Sequence, residues 1–269
     1  MEKLLQDLTA LPSPCGFEHR VIQYLHDYLK GKVDSYHVDG LGNLIVRKNG
    51  AYPGPVLMVS THSDEVGFIV KKIEENGLLR FEKLGGHDDR ILLSQRVTVC
   101  TEQGDLPGVI GTISAHMKKF DKGDLIRPYT QLYIDIGAES KAEAVEMGVC
   151  VGDAVSWGTE YQKLGAHRVM THGFDDKAGC AVLASMFAEL DFSKVHGTVY
   201  GVFSVQEEVG LRGAQTAAQS IHADVALAID TTAASDTMEG MMDRTICLGK
   251  GPRHQGHGFQ PHCQPQGEP

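Results

Sequence analysis

Residues 55–73 read PVLMVSTHSDEVGFIVKKI, and the change of rhythm inside them decides the fold. The first six, PVLMVS, are a continuous apolar run, the pattern of a strand buried on both faces. After THSDEV the chain turns to GFIVKKI, the first of several short segments rich in valine, isoleucine and glycine. LLRFEKL, QRVTVC, PGVIGTI, YIDIGA and DAVSW follow, separated by tight turns, to about residue 158. Closely spaced short strands of this kind predict a small β domain. One helix is predicted inside it, over 141–147, just before GVCVGD.

Upstream of this stretch, Leu4, Leu5, Leu8 and Leu11 fall at helical spacing, and residues 12–16 break the helix. A second helix is predicted over 18–30, with Val21, Ile22, Leu25 and Leu29 as its apolar stripe. NLIV at 43–46 is short and β-prone. Downstream of Thr171 an α/β alternation returns. The pattern predicts a helix over 177–190, a buried strand over 198–205, a short helix over 213–217 and another buried strand over 224–230. The reading is an α/β domain split by an inserted β domain.

Composition bounds the rest. The 269 residues suffice for one large domain or two smaller ones, and 42% hydrophobic with 22% charged residues describes a soluble globular chain. A formal net charge of −10 argues against nucleic acid or an anionic membrane as the main partner. No uncharged apolar stretch is long enough to span a bilayer, and the acid-containing N-terminus does not read as a signal peptide. Cys15, Cys100, Cys150, Cys180, Cys247 and Cys263 form no CxxC pair. They read as reduced thiols of a cytoplasmic protein.

Four clusters carry candidate chemistry. His62-Ser63-Asp64 directly follows the apolar strand. Residues two apart on an extended chain point the same way, so His62 could bind a metal while Asp64 orients its ring. The plainer reading is a turn. Asp175-Asp176 opens an apolar helix. A carboxylate there can bridge two cations, or simply cap the helix. Gln206-Glu207-Glu208 follows the strand TVYGVFSV. Adjacent side chains at a strand end diverge, so one glutamate can reach a metal and the other a water, unless this is only a solvated loop. Asp230 ends DVALAID, where an open α/β sheet places its sites, or serves the following turn. Together they offer imidazole and oxygen ligands suited to zinc, cobalt or manganese. A pair of such ions can hold a hydroxide and polarise a carbonyl.

With those residues in place, the chain resembles the tetrahedral-shell metallo-aminopeptidases, which include glutamyl and deblocking aminopeptidases. The likeness runs through THSDEVGFIV, LGGHDDRILLSQRV, GVIG, YIDIGA, GVCVGDAVSW, GFDDKAGCAVL, VQEEVGLRGA and ALAIDTT, from about residue 1 to residue 252. It implies a mixed-sheet α/β metallopeptidase domain over 1–69 and 164–252, with a β dimerisation domain inserted over 70–163. It implies two divalent ions per subunit. His62 binds the first and Asp64 supports it. Asp175 bridges both, with a cis peptide to Asp176. Glu208 binds one ion, Asp230 the other, and Glu207 is the general base that activates the water. Peptides would be the substrates, and dimers would assemble into a dodecamer. Some relatives carry cellulase or sugar-operon labels, so the physiological substrate stays open.

The family continues beyond GKGP at 249–252 to a final histidine ligand, whereas residues 253–269 here are rich in glutamine, histidine, glycine and proline. His254, His257 and His262 do not stand in the family's context and read as incidental. Shifting the frame of the back-translated tail permits an apolar helical continuation. The expectation is therefore a frameshift near Arg253, the loss of one imidazole ligand and of later sheet strands, and weak or absent peptidase activity. Two further readings use the same residues: a di-metal hydrolase of a non-peptide amide or sugar derivative, and a non-catalytic remnant that assembles through its β domain.

Overall fold

The computed structural model describes residues 1–113, 126–234 and 246–252. Met1–Thr231 form one compact unit and Thr232–Pro269 a second. The segment 253–269, expected above to follow a frameshift, lies outside the described residues with its three histidines.

The first unit begins with two amphipathic helices, α1 (Glu2–Thr9) and α2 (His19–Leu29). Leu4 and Leu8 of the first, and Val21, Ile22, Leu25 and Leu29 of the second, are buried, so the leucine spacing reports the packed face. Strands β1 (Ser35–Val38), β2 (Leu44–Asn49) and β3 (Tyr52–His62) follow. Six short strands come next: β4 (Gly67–Ile73), β5 (Leu79–Leu84), β6 (Arg96–Thr101), β7 (Gly104–Gly111), β8 (Tyr133–Asp135) and β9 (Ala154–Trp157), with α3 (Lys141–Glu146) before the last. They close into a barrel in the order β4-β5-β8-β7-β6-β9. Its interior is filled by alternate side chains, among them Phe68, Val70, Phe81, Val97, Val99, Ile134 and Val155. A small hairpin, β10 (Gln162–Leu164) and β11 (Arg168–Met170), leads to α4 (Phe174–Glu189), β12 (His196–Ser204), α5 (Arg212–Ser220) and β13 (Val225–Ala228).

The main sheet runs β1-β2-β12-β3-β13. The first two pairings are antiparallel, and β12, β3 and β13 run parallel. The pleat sorts the core. Leu44, Val46, Val59, Val199 and Phe203 face α1, α2 and α4, while Ile45, Met58 and Val202 face Ala217 of α5. Gly201 at the centre of β12 allows the close approach of α4, because a Cβ there would run into the Phe187 ring.

The mixed α/β class read from the sequence stands, with local corrections. The strand over 224–230 is not buried: Val225 and Leu227 are 55% and 46% exposed. Among the described residues β13 pairs with β3 alone, and an apolar run implies burial only where both faces are covered. The helix expected over 213–217 spans nine residues as α5. β1 was not foreseen, since all four residues of SYHV are exposed and show no apolar alternation. Among the described residues no helix is long and apolar enough to cross a membrane. Cys15, Cys100, Cys150 and Cys180 form no disulfide.

Candidate metal centre

Three parallel strands end side by side, and each delivers an acidic or imidazole group at its carboxyl end. His62 is the last residue of β3, Glu207 and Glu208 follow β12, and Asp230 lies two residues past β13. Crevices beyond the carboxyl ends of parallel strands are where open α/β sheets place their sites. Asp175 comes from the opening of α4. There the backbone of Asp175 and Asp176 leaves helical geometry and the peptide between them is cis.

The geometry brings all the sequence-predicted residues together. His62 Nε2 lies 2.9 Å from Asp175 Oδ1, 3.8 Å from Asp230 Oδ1 and 3.9 Å from Glu207 Oε2. Donor atoms of His62, Asp175 and Asp230 all lie within 4.8 Å of one another, as do those of His62, Glu207 and Glu208. His62 Nδ1 is held from behind, 3.1 Å from the Asp64 carbonyl oxygen and 3.4 Å from Asp64 Oδ1. That contact directs Nε2 at the cluster. Asp64 does more than orient a ring. Its buried carboxylate accepts hydrogen bonds from the backbone N–H groups of Glu207, at 2.9 Å, and Glu208, at 3.1 Å. One side chain therefore fixes both the histidine and the two glutamates.

The electrostatics of the cluster favours positive charge. Burial opposes charge on His62, yet the carboxylates of Asp175, Asp230 and Asp64 push its pKa far up. A field that holds a proton so firmly favours a cation. Burial and the nearby Asp175 raise Glu208 to about 7, and burial raises Glu207. One imidazole and four carboxylates make a donor set suited to divalent metal.

The pair Asp175-Asp176 divides its labour. Asp175 faces the cluster, half exposed. Asp176 is fully buried, accepts hydrogen bonds from the Thr61 hydroxyl and, at 3.0 Å, from Gly179 N–H, and burial pushes it up to about 7. It braces the first turn of α4 against β3. Gly179 is required there, because a Cβ would strike both the Asp176 carboxylate and the Thr61 hydroxyl.

Sequence reasoning missed three supporting groups. Glu18, nearly buried, accepts from Gln206 N–H at 3.0 Å and from Gly16 N–H at 2.7 Å. It steadies Gln206, whose φ of 55° lies in the left-handed region. Glu65 and Lys177 form a buried ion pair at 2.9 Å. Both stand inside the conspicuous segments THSDEVGFIV and GFDDKAGCAVL. Each directly follows an aspartate and precedes an apolar residue, which was the available signal.

These groups predict a pH signature for the metal-free chain. Glu208 and Asp176 bind protons more tightly when folded than their ordinary values of 4.5 and 3.8 allow. At these two groups the folded state holds more protons than the unfolded state up to about pH 7, and His62, pushed far up, adds with the same sign above its ordinary 6.5, so unfolding free energy falls as pH rises. Asp64 and Glu65, held low, act with the opposite sign but only below their own ordinary values of 3.8 and 4.5. Thermal scans of chelator-treated protein should show the midpoint falling from about pH 5 to about pH 7.5, and divalent metal should restore it most at the upper end. A flat or rising midpoint would contradict the reading.

The chain also matches known proteins. The family model described as M42 glutamyl aminopeptidase matches residues 42–255. The chain belongs to this family. It is 34% identical over 254 residues to the lysyl aminopeptidase of Pyrococcus furiosus, covering 93% of this chain and 71% of that one. Among solved structures, aminopeptidase APDkam598 from Desulfurococcus kamchatkensis superposes with a TM-score of 0.84 at 37% identity, over 90% of this chain and 65% of that one. The TET1 peptidase of Pyrococcus horikoshii, described as assembling into a tetrahedron or a large octahedral shell, superposes at 0.78 with 37% identity, over 85% and 68% of the two chains. The M42 chain thus spans about two thirds of the length of these solved relatives. Its reaction class is that of the metal-dependent aminopeptidases, which are hydrolases.

Proposed function

We propose that this M42 chain removes N-terminal residues from peptides at a centre of two divalent ions, zinc, cobalt or manganese. His62, Asp175 and Asp230 would hold one ion, and Asp175 with Glu208 the other. The observation that carries this reading is the convergence of one imidazole and four carboxylates at the ends of β3, β12 and β13 and the opening of α4. When bound, the ions supply Lewis acidity, which polarises the scissile carbonyl and makes water a nucleophile near neutral pH.

The chain's own groups do the rest. Glu207 points its Oε2 into the cluster, only partly exposed, and burial raises its pKa. A carboxylate moved toward neutrality is a better general base. It takes the proton of the attacking water and delivers it to the leaving amine. Asp64 holds the Glu207 and Glu208 backbones and the His62 ring, so base and ligands keep one relative geometry.

A cleft of about 600 Å³ opens beside the cluster and gives the peptide its place. Asp175 and Glu208 line its inner end, and Trp157, Ile91, Val66 and Phe174 supply apolar wall. Residues 1–69 and 164–252 are proposed as the metallopeptidase domain. The insert, 70–163, is proposed to pair subunits into dimers and a dodecameric shell of the kind described for the relatives. A cytoplasmic location fits the unbridged thiols.

The test is hydrolysis of a panel of aminoacyl amides by purified protein with each metal. Weak metal-dependent release of the N-terminal residue is expected, abolished by chelator. Release that is indifferent to chelator, or metal-dependent cleavage of N-blocked amides alone, would overturn the assignment.

A further inference from the structure

Beside the candidate metal centre, Glu65 and Lys177 are 1% and 0% exposed. Glu65 follows Asp64 directly, and Lys177 lies two residues past Asp175. The pair thus joins two of the four segments that carry the cluster. Glu65 Oε1 accepts from Ser13 N–H at 2.9 Å and from the Ser156 hydroxyl of β9 at 2.7 Å. Its Oε2 accepts from Lys177 Nζ at 2.9 Å, and His172 Nε2 stands 3.5 Å away. Lys177 Nζ also donates to the Leu11 carbonyl at 2.7 Å. The N-terminal loop, the barrel and α4 all meet on one carboxylate.

Gly173 shows how closely this knot is packed. It begins α4 in the left-handed region, at φ 62°, and a Cβ there would meet the Glu65 carboxylate and Lys177 Nζ. The turn that leads into Asp175 is shaped around the ion pair. Desolvation offsets most of the attraction in a buried pair, so net stability is a poor reason for its presence. Both charges are hydrogen-bonded and lie within three residues of a candidate ligand.

We infer that Glu65 and Lys177 are positioning residues, which set Asp175 against His62 and Asp64 and tie that spacing to the barrel through Ser156. The inference rests on the cluster being the metal centre. It requires metal affinity to depend on side chains that touch no metal, as supporting groups around ligands do elsewhere, typically by about 10- to 100-fold.

The test compares the parent with Glu65→Gln, Lys177→Met, the double variant and Ser156→Ala. Free Mn2+ is titrated by electron paramagnetic resonance, the Co2+ visible spectrum is recorded, and amide hydrogen exchange is followed over 61–65 and 172–178. Both single variants at the ion pair are expected to bind Mn2+ about 10- to 100-fold more weakly, with an altered Co2+ spectrum. The double variant, free of an unpaired buried charge, is expected to recover thermal stability without recovering affinity. Ser156→Ala, which leaves the pair intact, should shift affinity in the same direction by less. Should the single variants not fold, the double variant and Ser156→Ala decide. Folded variants with parental Mn2+ affinity and Co2+ spectrum would overturn the inference. A parent that binds no metal would sink the metal-centre reading instead. Exchange then decides the positioning role alone, faster exchange in both segments supporting it and unchanged exchange overturning it.

Discussion

Replacing Glu207 by glutamine is expected to lower kcat on an aminoacyl amide by about 100- to 10,000-fold, the usual range for a lost general acid–base group. The substitution keeps the shape of the side chain and removes its ability to accept a proton. The Asp64 hydrogen bonds to the backbone at 207 and 208 do not depend on that side chain, so the loop stays in place. Metal binding should therefore persist, and KM should change far less than kcat. That split separates a base from a ligand. Parallel loss of metal and of turnover would show that Glu207 binds metal and that Glu208 is the base. Both glutamates belong to the His62 donor group, which makes the comparison with Glu208→Gln informative.

The second large effect concerns Asp175. It is the carboxylate nearest His62 Nε2, and from the opening of α4 it shares a donor group with His62 and Asp230. Asp175→Ala should weaken metal binding by at least about 100-fold, more than the loss of a supporting residue. The thermal shift produced by added metal should largely disappear, because that shift follows the ratio of free metal to its dissociation constant. The chain itself should still fold. Asp175 is half exposed, and Asp176 rather than Asp175 carries the bracing bonds to Thr61 and Gly179. Asp176→Ala should show the reverse pattern, a large loss of stability from orphaned buried partners.

The candidate site was legible because most of its residues follow apolar runs. His62, Glu207 and Asp230 each come within three residues of a strand's end, and a buried strand is easily seen in sequence. Spacing could not show that β3, β12 and β13 are neighbours, since their order in the sheet differs from their order in the chain. It was the family resemblance that united the four clusters. Exposure was less legible. Val225 and Leu227 look like core residues yet lie at an edge among the described strands. Support from behind was least legible, because Glu18, Glu65 and Lys177 are residue types that sit on surfaces by default and are buried here only through long-range partners.

The central claim is that the ends of β3, β12 and β13 form a two-metal hydrolytic centre with the opening of α4. Anomalous diffraction at the absorption edge of the added metal, from crystals grown with zinc or manganese, tests it most directly. The account predicts two peaks in this cluster, one against His62, Asp175 and Asp230 and one against Asp175 and Glu208, with Glu207 facing the space between them. No peak there at saturating metal, or a single ion bound elsewhere on the chain, would contradict it.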